Sequence, residues 1–178
     1  MEFGLIAGVF VSLLLGLFDM GQAAYTRAIL DGAVEEAART SALETGDIDA
    51  ADDRIEEMID FVAPGAVVVS QRRSYFDFAD VERAEAWNDA DGSGVCDNNE
   101  SYTDENGNGV WDEDIGADGN GGAGDVVIYT VTVTYEPLFP NPFWSGGPTN
   151  RVMTASAVKK NQPFADQARY GSTAGVCD

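Results

Sequence analysis

Residues 3–18 read FGLIAGVFVSLLLGLF without a charge, bracketed by Glu2 and Asp19. As a helix rising about 1.5 Å per residue, the stretch spans roughly 25 Å, slightly short of the ~30 Å hydrocarbon core of a bilayer. It is apolar all round, with Leu13, Leu14 and Leu15 in sequence, which suits lipid better than the one-sided core of a soluble domain. A cleaved export signal would carry basic residues ahead of the run and a small-x-small cleavage site behind it. Nothing basic precedes this run, and Asp19, Met20, Gly21 and Gln22 follow it. The stretch therefore reads as a retained membrane helix.

The helical pattern continues beyond it. Leu30, Ala33, Val34, Ala37, Ala38 and Ser41 recur at i, i+3, i+4, i+7 spacing, while Arg27, Asp31, Glu35, Glu36 and Arg39 occupy the other faces. One helix over about residues 1–44 is expected, greasy all round at first and amphipathic afterwards. Its stripe of small residues permits close approach by another helix or a sheet. We divide the chain into this helical segment, 1–45, and a head, 46–178, which contains an acidic excursion over 88–125.

The N-terminal stretch EFGLIAGVFVSLLLGLFDMGQAAYTRAILDGAVEEAART resembles the TadE/TadG-like pilins of the tight-adherence (Flp-type) pilus system. Glu2 and Phe3 match the family's Glu-Phe, Asp19-Met20-Gly21 its acidic-x-Gly step, and Tyr25 with Arg27 the segment after it. The family places several residues, ending in a prepilin-peptidase glycine, before that glutamate; here Met1 stands there. The resemblance implies a pilin plan: an α+β chain with a long N-terminal hydrophobic helix and a small antiparallel sheet head. It also implies insertion in a bacterial inner membrane with the head outside the cytoplasm, then packing against copies of itself or other pilins in a cell-surface filament. In type IV pilins the matching glutamate meets the N-terminal amine of a neighbouring subunit, so by resemblance Glu2, with Phe3 beside it, takes a subunit-docking role. The alternative places the Glu2 carboxylate in the headgroup region, because a lone charge in hydrocarbon costs several kcal/mol.

The charge balance narrows the partners. Thirty-one acidic residues face 10 basic ones, a net charge of −21, which repels nucleic acid and favours cations or basic partners. There is no histidine, so the commonest general base and zinc ligand is missing. The paired carboxylates Asp89 and Asp91 suit acid–base chemistry in principle, but no nucleophile motif or phosphate loop accompanies them, and no enzyme is expected. Cys96 and Cys177 form no CxxC motif; in an exported chain a disulfide between them is favoured over two free thiols.

No basic residue stands between Arg83 and Arg151, and the segment contains two loops of calcium type. In the first, Asp89, Asp91, Ser93, Asp97 and Glu100 fall at positions 1, 3, 5, 9 and 12, Gly94 stands at 6, and Val95 offers its carbonyl at 7. In the second, Asp104, Asn106, Asn108, Gly109, Val110 and Asp112 repeat positions 1, 3, 5, 6, 7 and 9. Its twelfth residue is Ile115, so the bidentate ligand is missing, and Asp114 is the expected substitute; Asp118 and Asn120 extend the oxygen-rich run. The loops are too close together and too glycine-rich for EF-hand helices, so bare loops of the extracellular type are expected, holding one or two Ca2+ ions with micromolar-to-millimolar affinity. Mg2+ fits less well because so many protein oxygens are offered. The alternative is a solvated acidic loop that stays disordered without metal. Gly119, Gly121 and Gly124 fit GxGxxG literally, but a strand rather than a helix follows, which excludes a dinucleotide site.

In the rest of the head, a helix over 49–62 with Ile55, Met58, Ile59 and Val62 on one face ends at Pro64 and Gly65. A strand over 66–78 follows, with Val67, Val69 and Tyr75 alternating. Val127, Tyr129, Val131, Val133 and Tyr135 alternate with threonines in a half-buried strand, and 151–159 offers its partner. The aromatic connection between them, with Phe139, Phe143 and Trp144, either covers the core edge or forms a subunit contact or adhesive patch. The functional readings are a filament subunit with a calcium-stiffened head, or a singly membrane-anchored calcium-binding adhesion protein or assembly factor.

Overall fold

The computed structural model describes residues 2–43, 47–139, 150–163 and 165–178, with side chains from Ile6 onward. Helix α1 (Glu2–Thr40) is followed by α2 (Ile48–Val62) and six strands: β1 (Val67–Tyr75), β2 (Ser101–Asp104), β3 (Ala117–Asp118), β4 (Val126–Tyr135), β5 (Arg151–Lys160) and β6 (Thr173–Val176). They form a four-stranded sheet in the order β3-β1-β4-β5 and a two-stranded sheet of β2 and β6. The long apolar helix and the small antiparallel sheet domain are those expected of the α+β plan.

The described chain divides into two compact units. The first comprises Met1–Ser41, Asp47–Ser70 and Tyr129–Ala157. In it α1 runs unbroken because its leucines and alanines favour the helix and no proline intervenes. Arg39 lies in its last turn, where a cation suits the helix dipole. The expected stripe is the buried one: Leu30, Ala33, Val34, Ala37, Ala38 and Ser41 are all buried, and Thr26 extends it by one turn. Ile6, Val9, Phe10, Leu13, Leu17 and Met20, in the apolar half, are all more than half exposed.

Helix α2 starts where Asp47 accepts a hydrogen bond from the Ala50 N–H (3.0 Å), an N-cap typically worth about 1 kcal/mol. It ends as the Ala63 N–H donates to Ile59 (2.8 Å) and Gly65 turns back at φ 75°, a left-handed conformation suited to glycine. Its Ile55, Ile59 and Val62 are buried as expected, joined by Ala51; Met58 is half-buried and packs against the same core. That core collects the α1 stripe, α2, Tyr129, Val131, Val133 and Tyr135 of β4, and Ala155 of β5. Tyr129 is the largest fully buried side chain among the described residues, and its hydroxyl donates to Asp52 and is shared with Ser70. The β4 alternation is as read from the sequence. On β1, Val67 and Val69 take the outward face while Val68 packs against the core, because residues on a strand alternate faces and only one faces the core.

Polar contacts fix α1 within this unit. Arg151 pairs with Asp19, Arg27 donates to the Thr154 carbonyl (2.6 Å), and Gln22 donates to the Val62 carbonyl (3.3 Å). Phe139 packs its ring on Phe18, centroids 5.5 Å apart; Phe143 and Trp144 lie outside the described residues.

The second unit comprises Ala42–Gly46, Gln71–Ile128 and Val158–Asp178. Tyr75, Ile115 and Val126 form its apolar centre, with Val81, Ile128 and Tyr170 packed around them. The polar tail is ordered by pairing. β6 lies antiparallel to β2 with Ser101 opposite Val176 and Asp104 opposite Thr173, and Gly175 sits under the Tyr102 ring, where any Cβ would collide. Gln167 donates to the Phe76 carbonyl (2.7 Å) and to Asp125 (2.8 Å), while the Phe76 N–H donates to the Tyr170 hydroxyl (2.7 Å).

Truncating the stripe should cost far more than truncating the outer sheet face. Leu30→Ala should destabilise the chain by about 2–5 kcal/mol, and Val67→Ala by no more than about 0.5 kcal/mol. Denaturant unfolding of the full chain in detergent measures both; equal costs would show that the stripe does not organise the core.

Candidate metal centre

Both acidic loops lie in the second unit and share one construction. At position 1, Asp89 accepts hydrogen bonds from the N–H groups of Gly92 (2.7 Å), Ser93 (3.0 Å) and Gly94 (3.1 Å). Asp104 accepts from Gly107 (2.6 Å) and Gly109 (2.9 Å), which hold the same places in the second loop. The glycines at positions 4 and 6 have φ between 75 and 81° in both loops, so the chain coils around its first carboxylate. At position 3, Asp91 and Asn106 each accept from the N–H two residues on, at 2.9 and 3.1 Å. At position 5, Ser93 and Asn108 accept from Val95 (3.3 Å) and Val110 (2.8 Å).

The first loop closes on itself. Glu100, 6% exposed, accepts from the position-2 Ala90 N–H at 2.6 Å and from the position-9 Asp97 N–H at 3.5 Å. This brings oxygens of Asp89, Asp91 and Glu100 within 4.8 Å of one another. Ligands about 2.4 Å from a Ca2+ ion lie at most about 4.8 Å apart, so the three carboxylates fit around one hard cation. The Asp91 carboxyl is held below the usual carboxylate range, first by the Ser93 N–H and then by the Ser93 hydroxyl and Asn98. The donor set is oxygen only, which suits Ca2+ rather than a softer metal.

The second loop closes differently. Ile115, its twelfth residue, is buried in the apolar centre. Asp114 accepts instead from Arg73 (2.7 Å) and the Tyr75 hydroxyl (3.0 Å). Burial and the Asp114 carboxylate push the Tyr75 phenol up to about 12. The carboxylate that closes this loop belongs to Glu85, fully buried, which accepts from the Glu105 N–H (2.6 Å) and the Asp112 N–H (3.2 Å). The sequence reading missed Glu85, which lies 20 residues before Glu105 and outside the motif's spacing. The side chains of Asn106 and Asn108 both donate to Asp112 (2.8 and 2.6 Å); turning either amide over would present its oxygen instead.

A disulfide joins Cys96, inside the first loop, to Cys177, just after β6. The Cys177 N–H donates to the Glu100 carbonyl (2.9 Å) and the Asn99 N–H to the Cys177 carbonyl (3.1 Å). The covalent link and these bonds together anchor the end of the first loop. Arg83 forms a two-pronged pair with Glu105 (2.9 and 2.7 Å) and also donates to Asp80 (3.0 Å). Glu2 and Phe3 stand in the first turn of α1, and their side chains lie outside the described residues.

Two predictions follow from these links. The disulfide spans 81 residues, and closing a loop of that size removes roughly 4–5 kcal/mol of unfolded-state entropy on the chain-entropy model. The double variant Cys96→Ala/Cys177→Ala should therefore unfold at markedly lower denaturant, and an unchanged midpoint would contradict the link. The second concerns acid. The Arg83 hydrogen bond holds the Glu105 carboxyl below its ordinary value. The folded-state pKa is thus the lower one, so its contribution is complete above the unfolded value of about 4.3 and disappears as pH falls through the folded value. The Tm difference between the native chain and Arg83→Met should narrow as pH is lowered from 7 to 3.

No curated protein and no solved structure matches the chain. The resemblance carried by Glu2-Phe3, the Leu-rich run and Asp19-Met20-Gly21 is borne out where it was drawn: residues 1–39 match the family model described as TadE-like protein.

Proposed function

We propose that the chain is a pilin-like structural subunit of a Tad-like pilus or a related surface filament, whose head is stiffened by calcium. The observation that carries this reading is the two-part surface of α1. One stripe of its second half is buried in the first unit, whereas the apolar window within Ile6–Thr40 is long enough to cross a membrane and none of its described residues is buried. Exposed apolar area costs about 25 cal/mol per Å2 in water, so this half requires lipid or other helices around it. Gly8, Gly16 and Gly21 have open space beside them, which lets neighbouring helices come close. Lipid serves before assembly, and copies of the chain or other pilins serve afterwards. The TadE-like match over the same segment supports a pilus-associated role.

Calcium is the second half of the reading. Four carboxylates crowd the first loop and no Lys or Arg occurs between Arg83 and Arg151. A divalent cation relieves that repulsion and cross-braces the loops. In the proposed sites Asp89, Asp91, Ser93, Asp97 and Glu100, with the Val95 carbonyl, hold one ion; Asp104, Asn106, Asn108 and Asp112, with the Val110 carbonyl, hold the other.

Electron microscopy and mass spectrometry of material sheared from the cell surface test the filament. Recovery of this chain as the repeating component of filaments is expected; its confinement to the membrane fraction would favour a singly anchored protein or an assembly factor instead. Melting with and without a chelator tests the metal. At calcium about a hundredfold above Kd, binding adds about 2.7 kcal/mol and should raise Tm by roughly 5–10 °C. Identical transitions with no bound metal would remove calcium from the reading.

A further inference from the structure

We infer that the first unit rests on the bilayer that holds α1, with Phe61, Leu138 and Phe139 set in a zwitterionic headgroup layer. The inference rests on the membrane reading of α1 above and adds to it a second lipid-contacting surface, built from segments remote from the helix in sequence. With the hydrocarbon core ending where the apolar run ends, at Phe18, Gln22 lies about 6 Å further along the helix, inside the headgroup layer. Two other segments are tied to Gln22. Its side-chain N–H donates to the carbonyl of Val62 at the end of α2 (3.3 Å), and its side-chain oxygen accepts from the Leu138 N–H just beyond β4 (3.0 Å). Both segments are thus held at the depth of the headgroups.

Each of them presents large apolar side chains that the chain leaves uncovered: Phe61 is 84% exposed, Leu138 54% and Phe139 37%. Phe139 also packs on Phe18, so this surface is continuous with that of the apolar run. Such side chains are costly in water and are at home at the boundary of headgroups and acyl chains. The charges at this level agree. Asp19, the first carboxylate after the run, would be costly unpaired at the edge of the hydrocarbon, and β5 supplies Arg151 to pair with it. Asp60 and Glu136 stand beside the apolar residues in sequence, so anionic headgroups are repelled and zwitterionic ones are favoured. A neighbouring subunit is the other possible cover. Anchors from two separate segments held at one depth on the spanning helix are what a planar interface requires, and a subunit contact has no such requirement. The aromatic connection after β4 therefore meets lipid through its first residues.

The full chain is placed, one copy per disc, in nanodiscs of phosphatidylcholine. In each variant the photoreactive residue p-benzoylphenylalanine replaces Leu13, Phe61, Leu138 or Arg39. The Arg39 side chain is about as exposed as Phe61 but lies about 30 Å beyond Phe18 along α1. On irradiation, Leu13, Phe61 and Leu138 should give lipid adducts at least about tenfold above Arg39. Adducts at Leu13, with Phe61 and Leu138 no higher than Arg39, would overturn the inference and leave the membrane helix intact. No adduct at Leu13 overturns the membrane reading and this inference with it. In discs holding two copies, cross-links from Phe61 and Leu138 to the second chain in place of lipid overturn it in favour of a subunit contact. Should a photoreactive variant fail to fold, Phe61→Trp carries the test: bromines near the head of the acyl chains should quench its added emission at least about twofold, and unquenched emission overturns the docking.

Discussion

The burial of one small-residue stripe on α1 is the contact on which the first unit depends. Leu30, Ala33, Val34, Ala37 and Ala38 lie flush with α2 and the inner face of β4 because alanine and valine let backbones approach closely. Without that stripe, the second half of the helix would lose its apolar contact with the rest of the unit. The ion pair of Arg151 with Asp19 and the bond from Arg27 to Thr154 add direction rather than much energy, since partly exposed pairs contribute little. One continuous helix thus presents two surfaces, one finished by its own chain and one left for an apolar environment.

The second unit solves a different problem, that of ordering a segment rich in carboxylate and glycine with little apolar area. It does so with backbone N–H groups and one covalent link. Each loop winds around its first aspartate, and a carboxylate gathers the N–H groups of positions 2 and 9. The four-residue strand β2 runs from just after position 12 of the first loop to position 1 of the second, and β6 pairs along it. The disulfide fastens β6 to the first loop at the adjoining end. The loops are therefore spaced by a strand of set length.

Much of this was legible from local pattern. The i, i+3, i+4 spacing from Leu30 to Ser41 and the valine-threonine alternation of β4 are short-range signals, and each has its counterpart in the structure. Where the pattern was two-sided it left the face open. Val67 and Val69 alternate correctly on β1 yet point outward, since only packing decides which side the core covers. The β2–β6 pairing was invisible because Ser101–Asp104 and Thr173–Val176 carry almost no alternating hydrophobicity.

The amino-acid order alone determined the apolar helix, its amphipathic continuation, the strands of strong alternation and the two coiled acidic loops. These depend on side-chain periodicity and on glycine at left-handed positions, which neighbouring residues dictate. Tertiary structure alone decided which carboxylate closes the second loop. Asp114 is close in sequence but is drawn away by Arg73 and Tyr75, whereas Glu85 is distant in sequence and is delivered by the folding of the segment before β2. Proximity in the chain bounds what a residue can reach, but competition among partners in space settles what it holds.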